Sequence, residues 1–226
     1  MTPSFAPTAD CRRILIVGAG AFGREVLQWI RDAWPDRSHL VAGFISDDLG
    51  RLSGFDTGLR IVGKATDYDV CRGDLLVLAI GVPYSRRRIA ELLISRGARF
   101  LTLVHPRAVV AESARIGEGS VVCPFAVVSD SVTMGRCVLV NYHASLGHDS
   151  VAGDFAVLSP YATLGGAAHI EEECFLGLHG TVGPGRRIGA RSKVSANSCV
   201  LSDAPADSLI YGVPGRISMR IGPSLD

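Results

Sequence analysis

The chain of 226 residues contains 23 Lys and Arg against 22 Asp and Glu, giving a formal net charge of +1 at pH 7, and 47% of its residues are hydrophobic. This balance excludes a broad basic field for nucleic acid and a polybasic patch for membranes. The apolar runs are far shorter than the roughly 20 residues that a transmembrane helix needs. The six cysteines are scattered without a CxxC pair, which favours reduced thiols and a cytoplasmic protein.

The N-terminal part alternates strand and helix patterns. Residues 1–11 lack the charged and apolar segments of a signal peptide, and we interpret them as a disordered tail. Residues 12–104 are typical of a small Rossmann-like α/β domain with a parallel sheet, whose ligand crevice is expected at the carboxyl ends of the strands. The predicted strands are 13–17, 40–45, 59–62, 75–80 and 100–104, and the predicted helices run from the glycine loop to Trp34 and from about 85 to 95.

A glycine-rich loop, Gly18 to Gly23, follows the first predicted strand and opens a helix. Glycines at such a turn let backbone N–H groups approach a phosphate at the helix N-terminus. Asp47 follows the second strand, near the place where a dinucleotide fingerprint expects an acidic residue. A nucleotide-like or phosphorylated ligand is the favoured interpretation, and a nicotinamide cofactor or a purely structural turn are the alternatives.

Three consecutive arginines, Arg86 to Arg88, look like a phosphate clamp at the start of the second helix. Consecutive helical residues point in different directions, so at most one or two of them can face the crevice. A solvated helix face is the competing interpretation. The acidic run Glu171 to Glu173 is interpreted as a solvated corner.

The second half of the chain has a six-residue period. Apolar residues occupy Val110, Ile116, Val122, Val128, Met134, Val140, Leu146, Ala152, Leu158, Leu164, Ile170, Leu176, Val182, Ile188, Val194 and Val200. Each hexapeptide supplies a short strand and a corner, and stacked coils bury a shared aliphatic column. The pattern resembles the left-handed parallel β-helix of hexapeptide-repeat acyltransferases, in which three hexapeptides make one 18-residue coil. We therefore predict a β-helix over residues 105–205.

Histidines are the informative polar residues of the repeat. A step of 18 residues moves up one coil, which predicts an outer column of Phe125, His143, Tyr161 and His179 and places His148 one coil below Gly166. Imidazole suits a general base at neutral pH, and the adjacent Asp149 could fix its tautomer. Neighbours on a strand point to opposite faces, so this pair can interact only at a corner. An unrelated surface histidine beside a surface aspartate is the alternative.

The stretch from Arg13 to Arg216 resembles the PglD/NeuD-type family of sugar acetyltransferases. The matching segments are Gly18–Gly23, Phe44–Asp48, Ala79–Gly81 with Arg86, Gly147–Asp149 and Tyr211–Arg216. The resemblance implies that a homotrimer, without a metal, transfers acetyl from acetyl-CoA to an amino group of a nucleotide-linked aminosugar. It gives no role in binding nucleic acid or membranes.

The resemblance also implies roles for individual residues. His148 is the expected general base, Asp149 orients it, and the Gly166 N–H stabilises the thioester carbonyl. The residues expected at the coenzyme are Gly166, Ala196, Gly212, Val213, Pro214 and Arg216, the last four within a C-terminal segment 206–226. The residues expected at the acceptor are Gly18, Gly20, Phe22, Gly23, Asp47, Asp48, Gly81 and Arg86.

The chain departs from the family pattern in three places. Family members often have His at the position of Phe22 and Asn at the position of Val82, and some have a second His at the position of Val157. These departures leave the sugar and the nucleotide unassigned.

Three other functions are compatible with the sequence. Transfer to a hydroxyl of a sugar or sialic acid is the nearest alternative. A γ-carbonic-anhydrase-like zinc site would use His143 and His148, but its third histidine is expected at 107, which is Arg107. A non-catalytic trimer that senses a nucleotide is the third alternative.

Overall fold

The computed structural model describes residues 5–219, and its first module is a five-stranded parallel sheet with helices on both sides. The strands are β1 (Arg13–Val17), β2 (Val41–Ile45), β3 (Ile61–Gly63), β4 (Asp74–Leu78) and β5 (Arg99–Phe100), in the order β3-β2-β1-β4-β5. The helices are α1 (Ala21–Ala33), a 3₁₀-helix (Pro35–Leu40) and α2 (Pro83–Ser95). The continuous apolar runs of β1 and β4 are buried, as expected for parallel strands covered on both faces. The predicted Rossmann-like sheet is confirmed.

The second module is a parallel β-helix of two-residue strands on three faces. The face that we call the covered face contains Leu103–Val104, Val121–Val122, Leu139–Val140, Val157–Leu158, Phe175–Leu176, Lys193–Val194 and Ser208–Tyr211, with Arg216–Met219 antiparallel to the last. The open face contains Val109–Val110, Val127–Val128, Ser145–Leu146, Thr163–Leu164, Thr181–Val182 and Cys199–Val200. The charged face contains Arg115–Ile116, Thr133–Met134, Val151–Ala152, His169–Ile170 and Arg187–Ile188. The predicted hexapeptide β-helix is confirmed.

The register of the coils follows the six-residue period. Each strand pairs with the strand 18 residues later, as in Val127 with Ser145, and the second residue of each strand points into the core. Tight corners separate the faces, and most of them use a residue in the left-handed region, such as Asp149 at φ 58° and Phe155 at φ 60°. We call them the ring corner (covered to open face), the histidine corner (open to charged face) and the docking corner (charged to covered face).

The boundary between the modules differs from the prediction. The predicted last strand of the sheet, 100–104, is split in two. Its first part closes the α/β sheet as β5, whereas Leu103–Val104 pairs with Val121–Val122 and starts the β-helix. At the other end, Ser208–Tyr211 pairs with Lys193–Val194 as one more coil of the helix, inside the predicted C-terminal segment. Residues 220–226 of that segment lie outside the described residues.

The predicted N-terminal tail is described only in part. Residues 1–4 lie outside the described residues. Within the remainder, Pro7 and Cys11 are buried, and the Cys11 N–H donates a hydrogen bond to the Thr8 carbonyl. No helix among residues 5–219 is both long and apolar enough to span a bilayer.

The α/β module packs on the covered face and the docking corner. Val121, Leu139 and Val157 share a buried cluster with Trp29 of α1. At the docking corner, the Arg87 guanidinium lies 2.6 Å from the Glu173 carboxylate, which joins α2 to the β-helix. The covered face borders the ring and docking corners, so the histidine corner is the one corner that it does not touch.

We predict that the inward column provides much of the stability of the β-helix. Leu176 is fully buried in that column, whereas Leu49 is 59% exposed in a loop of the α/β module. Leu176→Ala should reduce the free energy of unfolding by about 2–5 kcal/mol, because the cavity left in the stacked coils cannot close. Leu49→Ala, the matched control, should change it by less than about 0.5 kcal/mol. Urea unfolding measures both, and equal losses would contradict the prediction.

Candidate active site

His148 and Asp149 form a hydrogen-bonded pair at the histidine corner. The His148 Nδ1 atom lies 2.8 Å from Asp149 Oδ2, and the two side chains are 68% and 61% exposed. The left-handed backbone of Asp149 turns its side chain back toward its neighbour, which resolves the difficulty of adjacent residues on a strand. With the Nδ1 proton donated to the carboxylate, Nε2 carries a free lone pair that can accept a proton.

Gly166 lies directly above the imidazole on the next coil. A Cβ at this position would lie 2.5 Å from His148 Nε2 and 2.7 Å from Cε1, so only glycine leaves room for this ring orientation. The Gly166 carbonyl accepts a hydrogen bond from the Gly185 N–H. Its own N–H has no acceptor within residues 5–219. The corner therefore presents a free backbone donor beside the basic nitrogen.

The histidine corner is acidic below His148 and rich in glycine above it. One coil below, Asp130 accepts hydrogen bonds from Ser113 Oγ at 2.5 Å and from Ser131 Oγ at 3.1 Å, which lower the pKa of its carboxyl. Above it, Gly165, Gly166, Gly183 and Gly185 lie in the same corner, together with the exposed Pro184 and with Arg186, which is paired with Asp203 at 3.6 Å. Because Gly166 has no side chain, the Nε2 side of the imidazole is left accessible to a ligand.

The other residues expected at the coenzyme lie across the open face from His148. Ala196 is exposed in the ring corner. The loop from Gly212 to Gly215 packs on the last coil, where the Gly215 N–H donates to the Cys199 carbonyl at 2.7 Å and the Gly212 N–H donates to Ser198 Oγ at 3.0 Å. Val213 and Pro214 in this loop are exposed, and Arg216 begins the antiparallel strand that follows. Within one chain, the structure does not bring these residues together with Gly166.

The glycine loop at the end of β1 is tightly packed. Gly18 has φ 111° and donates its N–H to the Ile45 carbonyl at 2.9 Å, and a Cβ on Gly18 would meet the Ala79 carbonyl oxygen at 2.5 Å. A Cβ on Gly23 would overlap the Gly18 carbonyl oxygen. Gly20 is the N-cap of α1, with no side chain capping that end of the helix. The packing alone therefore requires glycine at positions 18 and 23.

The remaining acceptor candidates surround this loop. Asp47 and Asp48 are exposed after β2, where Asp47 Oδ1 accepts a hydrogen bond from the Thr66 N–H and Asp48 Oδ1 accepts one from the Gly50 N–H. Gly81 is exposed after β4, with no atom within 4 Å of the place where its Cβ would be. Phe22 turns away to pack edge-on against Trp29 at 5.7 Å.

Sequence reasoning missed one residue of this crevice. The Arg51 Nε atom lies 3.8 Å from the position that a Gly20 Cβ would take, which places a cation beside the helix N-terminus. Arg51 occurs in an irregular loop after β2, where no periodic pattern indicates which side chains turn inward.

Arg86 corrects the sequence prediction. It is fully buried and does not line the crevice, nor does it lie on a solvated helix face. Its guanidinium donates hydrogen bonds to the carbonyl oxygens of Leu78, Ile80 and Cys137. Helical periodicity could not reveal this, since the position of α2 against the β-helix decides which arginine is enclosed. Glu173 likewise is buried in the docking corner, and the solvated corner that was predicted is wrong for that residue.

The predicted outer column of rings is confirmed at the ring corner. Successive ring centroids of Phe125, His143, Tyr161 and His179 are 5.1, 4.8 and 4.8 Å apart, with nearly parallel planes. His143 is therefore stacked between two aromatic rings and lies on a different corner from His148. Within residues 5–219, no group of three or more His, Cys, Asp or Glu side chains is arranged to hold a metal ion.

Known proteins similar to this chain include two curated enzymes, although no protein-family model matches it. GDP-perosamine N-acetyltransferase of Escherichia coli O157:H7 is 27% identical over 207 residues, which cover 89% of this chain and 79% of the relative. UDP-N-acetylbacillosamine N-acetyltransferase of Bacillus subtilis (strain 168) is 37% identical over 113 residues, which cover 49% of this chain and 51% of the relative.

Solved structures match nearly the whole chain. PerB of Caulobacter crescentus, solved in complex with CoA and GDP-perosamine, has a TM-score of 0.82 and 29% identity, over 91% of this chain and 97% of that one. The acetyltransferase domain of PglB from Neisseria gonorrhoeae has a TM-score of 0.81 and 27% identity, over 92% of this chain and 100% of that one. These matches cover both modules, in agreement with the motifs that first indicated the resemblance. The resemblance of this chain to the PglD/NeuD-type family of sugar acetyltransferases is thereby confirmed.

Proposed function

We propose that this protein transfers the acetyl group of acetyl-CoA to the amino group of a nucleotide-linked aminosugar, with His148 as the general base. The observation that carries the proposal is the His148–Asp149 pair at 2.8 Å, with Nε2 directed at the side-chain-free Gly166. The named relatives are N-acetyltransferases of GDP- and UDP-linked sugars, which supports an amine acceptor over a hydroxyl.

The chemistry follows from the geometry of the histidine corner. The sugar amine attacks the thioester carbonyl carbon, and His148 Nε2 takes the proton that the amine loses. Asp149 stabilises the resulting imidazolium, while the free Gly166 N–H donates to the oxygen that becomes negative. When the tetrahedral intermediate collapses, the C–S bond breaks, and the imidazolium returns its proton to the departing thiolate of CoA.

The crevice of the α/β module is the proposed acceptor site. The glycine loop, the Asp47–Asp48 turn and Gly81 meet at the carboxyl ends of β1, β2 and β4, where doubly wound sheets bind their ligands. Arg51 adds a positive charge beside Gly20, suited to the diphosphate of a nucleotide sugar. Because Phe22 packs on Trp29, the glycine loop offers the ligand its backbone and not a polar ring.

A homotrimer would bring the two halves of the site together. The α/β crevice is on a module packed against the covered face, whereas His148 lies on the corner that this face does not border. The open face between them presents mainly small, uncharged residues outward, namely Val109, Val127, Ser145, Thr163, Thr181 and Cys199. We propose that this face packs against a second copy, so that acetyl-CoA contacts Gly166 of one chain and Ala196, Gly212, Val213, Pro214 and Arg216 of its neighbour.

A cytoplasmic location fits this proposal. The described cysteines are all free thiols, and Cys11, Cys123, Cys137 and Cys174 are buried. Unpaired cysteines are typical of compartments that keep thiols reduced.

The first test is acetyl-CoA turnover with GDP-, UDP- and dTDP-linked aminosugars, followed by release of free thiol. We expect turnover with one of them and a loss of kcat of about two to four orders of magnitude in His148→Ala, because the amine then has no positioned base. Asp149→Asn should cause a smaller loss. His169→Ala, on the charged face, is the control and should retain full activity. Residual activity of His148→Ala within a few-fold of the wild type would contradict the mechanism.

Gly166→Ala tests the contact between the imidazole and the next coil. The added methyl would lie 2.5 Å from His148 Nε2, so the ring must move and the basic nitrogen leaves its position. We expect kcat to fall by about 100-fold, the usual effect of a misplaced catalytic group. The melting temperature should change little because the site is at the surface. His169→Ala, on the charged face, is again the control, and equal activities of Gly166→Ala and His169→Ala would exclude this role for Gly166.

Mixed oligomers test the shared site. His148→Ala removes the base, and Gly20→Glu places a carboxylate at the proposed diphosphate position. Each variant alone should be inactive, whereas their co-expression should restore turnover, since one chain supplies the crevice and another supplies His148. Sedimentation should give the mass of a trimer. A trimer whose mixed forms stay inactive would show that crevice and base belong to the same chain.

A further inference from the structure

We propose that Arg86 is a positioning residue that fixes the floor of the acceptor crevice to the β-helix, and the proposal rests on the proposed function. Arg86 lies in the first turn of α2 and is completely buried. It makes no ion pair with any carboxylate of the described residues. A buried guanidinium held only by backbone carbonyls is costly, so the role of Arg86 is inferred from the groups that its hydrogen bonds hold in place.

The contacts of Arg86 join the two modules at one point. Nη1 donates to the carbonyl oxygens of Leu78 at 3.0 Å and Ile80 at 2.8 Å, and Nε donates to the Cys137 carbonyl in the docking corner at 2.6 Å. Only a planar guanidinium offers several donors in a fixed fork, so lysine cannot reproduce this set. The end of β4 is thereby held in position against the β-helix.

The segment held by Arg86 is the floor of the crevice. Ala79 lies between the two carbonyls that Nη1 binds, and its own carbonyl oxygen is the nearest atom to the position of a Gly18 Cβ, at 2.5 Å. The Ala79 N–H donates to the Val17 carbonyl at the end of β1. A shift of Leu78–Ile80 would therefore move the glycine loop, and with it the bound acceptor.

This arrangement matters because the acceptor must reach a histidine on another chain. In the proposed trimer, the copies contact each other through their β-helices. The position of a crevice relative to the neighbouring His148 therefore depends on how the α/β module is docked on its own β-helix. A displacement of about 1 Å between reacting groups can reduce a rate by about 100-fold. Arg86 touches no substrate and affects the reaction only by fixing the position of the crevice floor relative to the β-helix.

The test compares Arg86→Lys and Arg86→Met with Arg87→Met. Arg87 is the matched control, since it joins the same helix to the same corner through Glu173 at 2.6 Å without contacting Leu78–Ile80. We expect kcat/KM for the nucleotide aminosugar to fall by about 100-fold in Arg86→Met and less in Arg86→Lys. Arg87→Met removes one docking contact but none at the crevice floor, so it should lower kcat/KM by no more than a few-fold. The Kd of acetyl-CoA, measured by calorimetry, should remain unchanged in all three variants.

Amide hydrogen exchange supplies a readout that does not need turnover. In Arg86→Lys, which keeps a buried cation and is the variant expected to fold, exchange should accelerate at residues 79–81 and 18–20 but not in the β-helix core. Unchanged exchange at these residues would overturn the proposal. The proposal would also be overturned if kcat/KM fell equally for the aminosugar and for acetyl-CoA, in proportion to the fall in melting temperature. That result would indicate general destabilisation of the protein.

The two proposals can fail separately. If the wild type acetylates no aminosugar, the proposed function fails, while exchange at the crevice floor and binding of GDP or UDP still decide the role of Arg86. If the wild type is active and Arg86→Met matches Arg87→Met in acceptor kinetics, only the role of Arg86 fails.

Discussion

The narrow core of the β-helix is the constraint on which the rest of the chain depends. Each face contributes one inward side chain per coil, and adjacent coils are held at about 4.8 Å by backbone hydrogen bonds. A side chain that is too large or too polar at an inward position would disturb the coils on both sides. The period of six is the consequence, and it forces the outward residues into vertical columns as well. The stack from Phe125 to His179 is such a column, and so is the pair of His148 and Gly166.

The imidazole of His148 is therefore positioned by the backbone more than by neighbouring side chains. The corner sets the direction of Asp149 through its φ of 58°, and the coil above sets the space around the imidazole through the missing side chain of Gly166. The α/β module is positioned differently, by side chains that cross between modules: apolar contacts on the covered face, Arg87 with Glu173, and the buried guanidinium of Arg86. The β-helix thus holds the His148–Asp149 pair, and the docked module holds the glycine-loop crevice, the proposed acceptor site.

The same distinction explains what the sequence can predict. Positions inside the repeat follow from counting, so the ring column, the neighbourhood of His148 and the identity of the inward residues are all readable from spacing. The contacts between the modules cannot be predicted in this way. Nothing in the helical pattern of α2 distinguishes Arg86 from Arg87 and Arg88, because the enclosing surface comes from Cys137, far along the chain. For the same reason the sequence assigns Leu103–Val104 to the wrong module: a short apolar strand fits either sheet, and only its pairing with Val121–Val122 decides.

The 18-residue register also restricts how the length of such a chain can change. An added segment of one whole coil leaves every later residue on its original face and lifts it by one step. An added hexapeptide instead rotates the remainder of the chain by one face. Inserted between the ring column and His148, it would move His148 from the histidine corner to the docking corner, where the α/β module of the same chain is packed. Insertions that preserve activity should therefore come in multiples of a full coil, or should protrude from the β-helix as a loop at one corner.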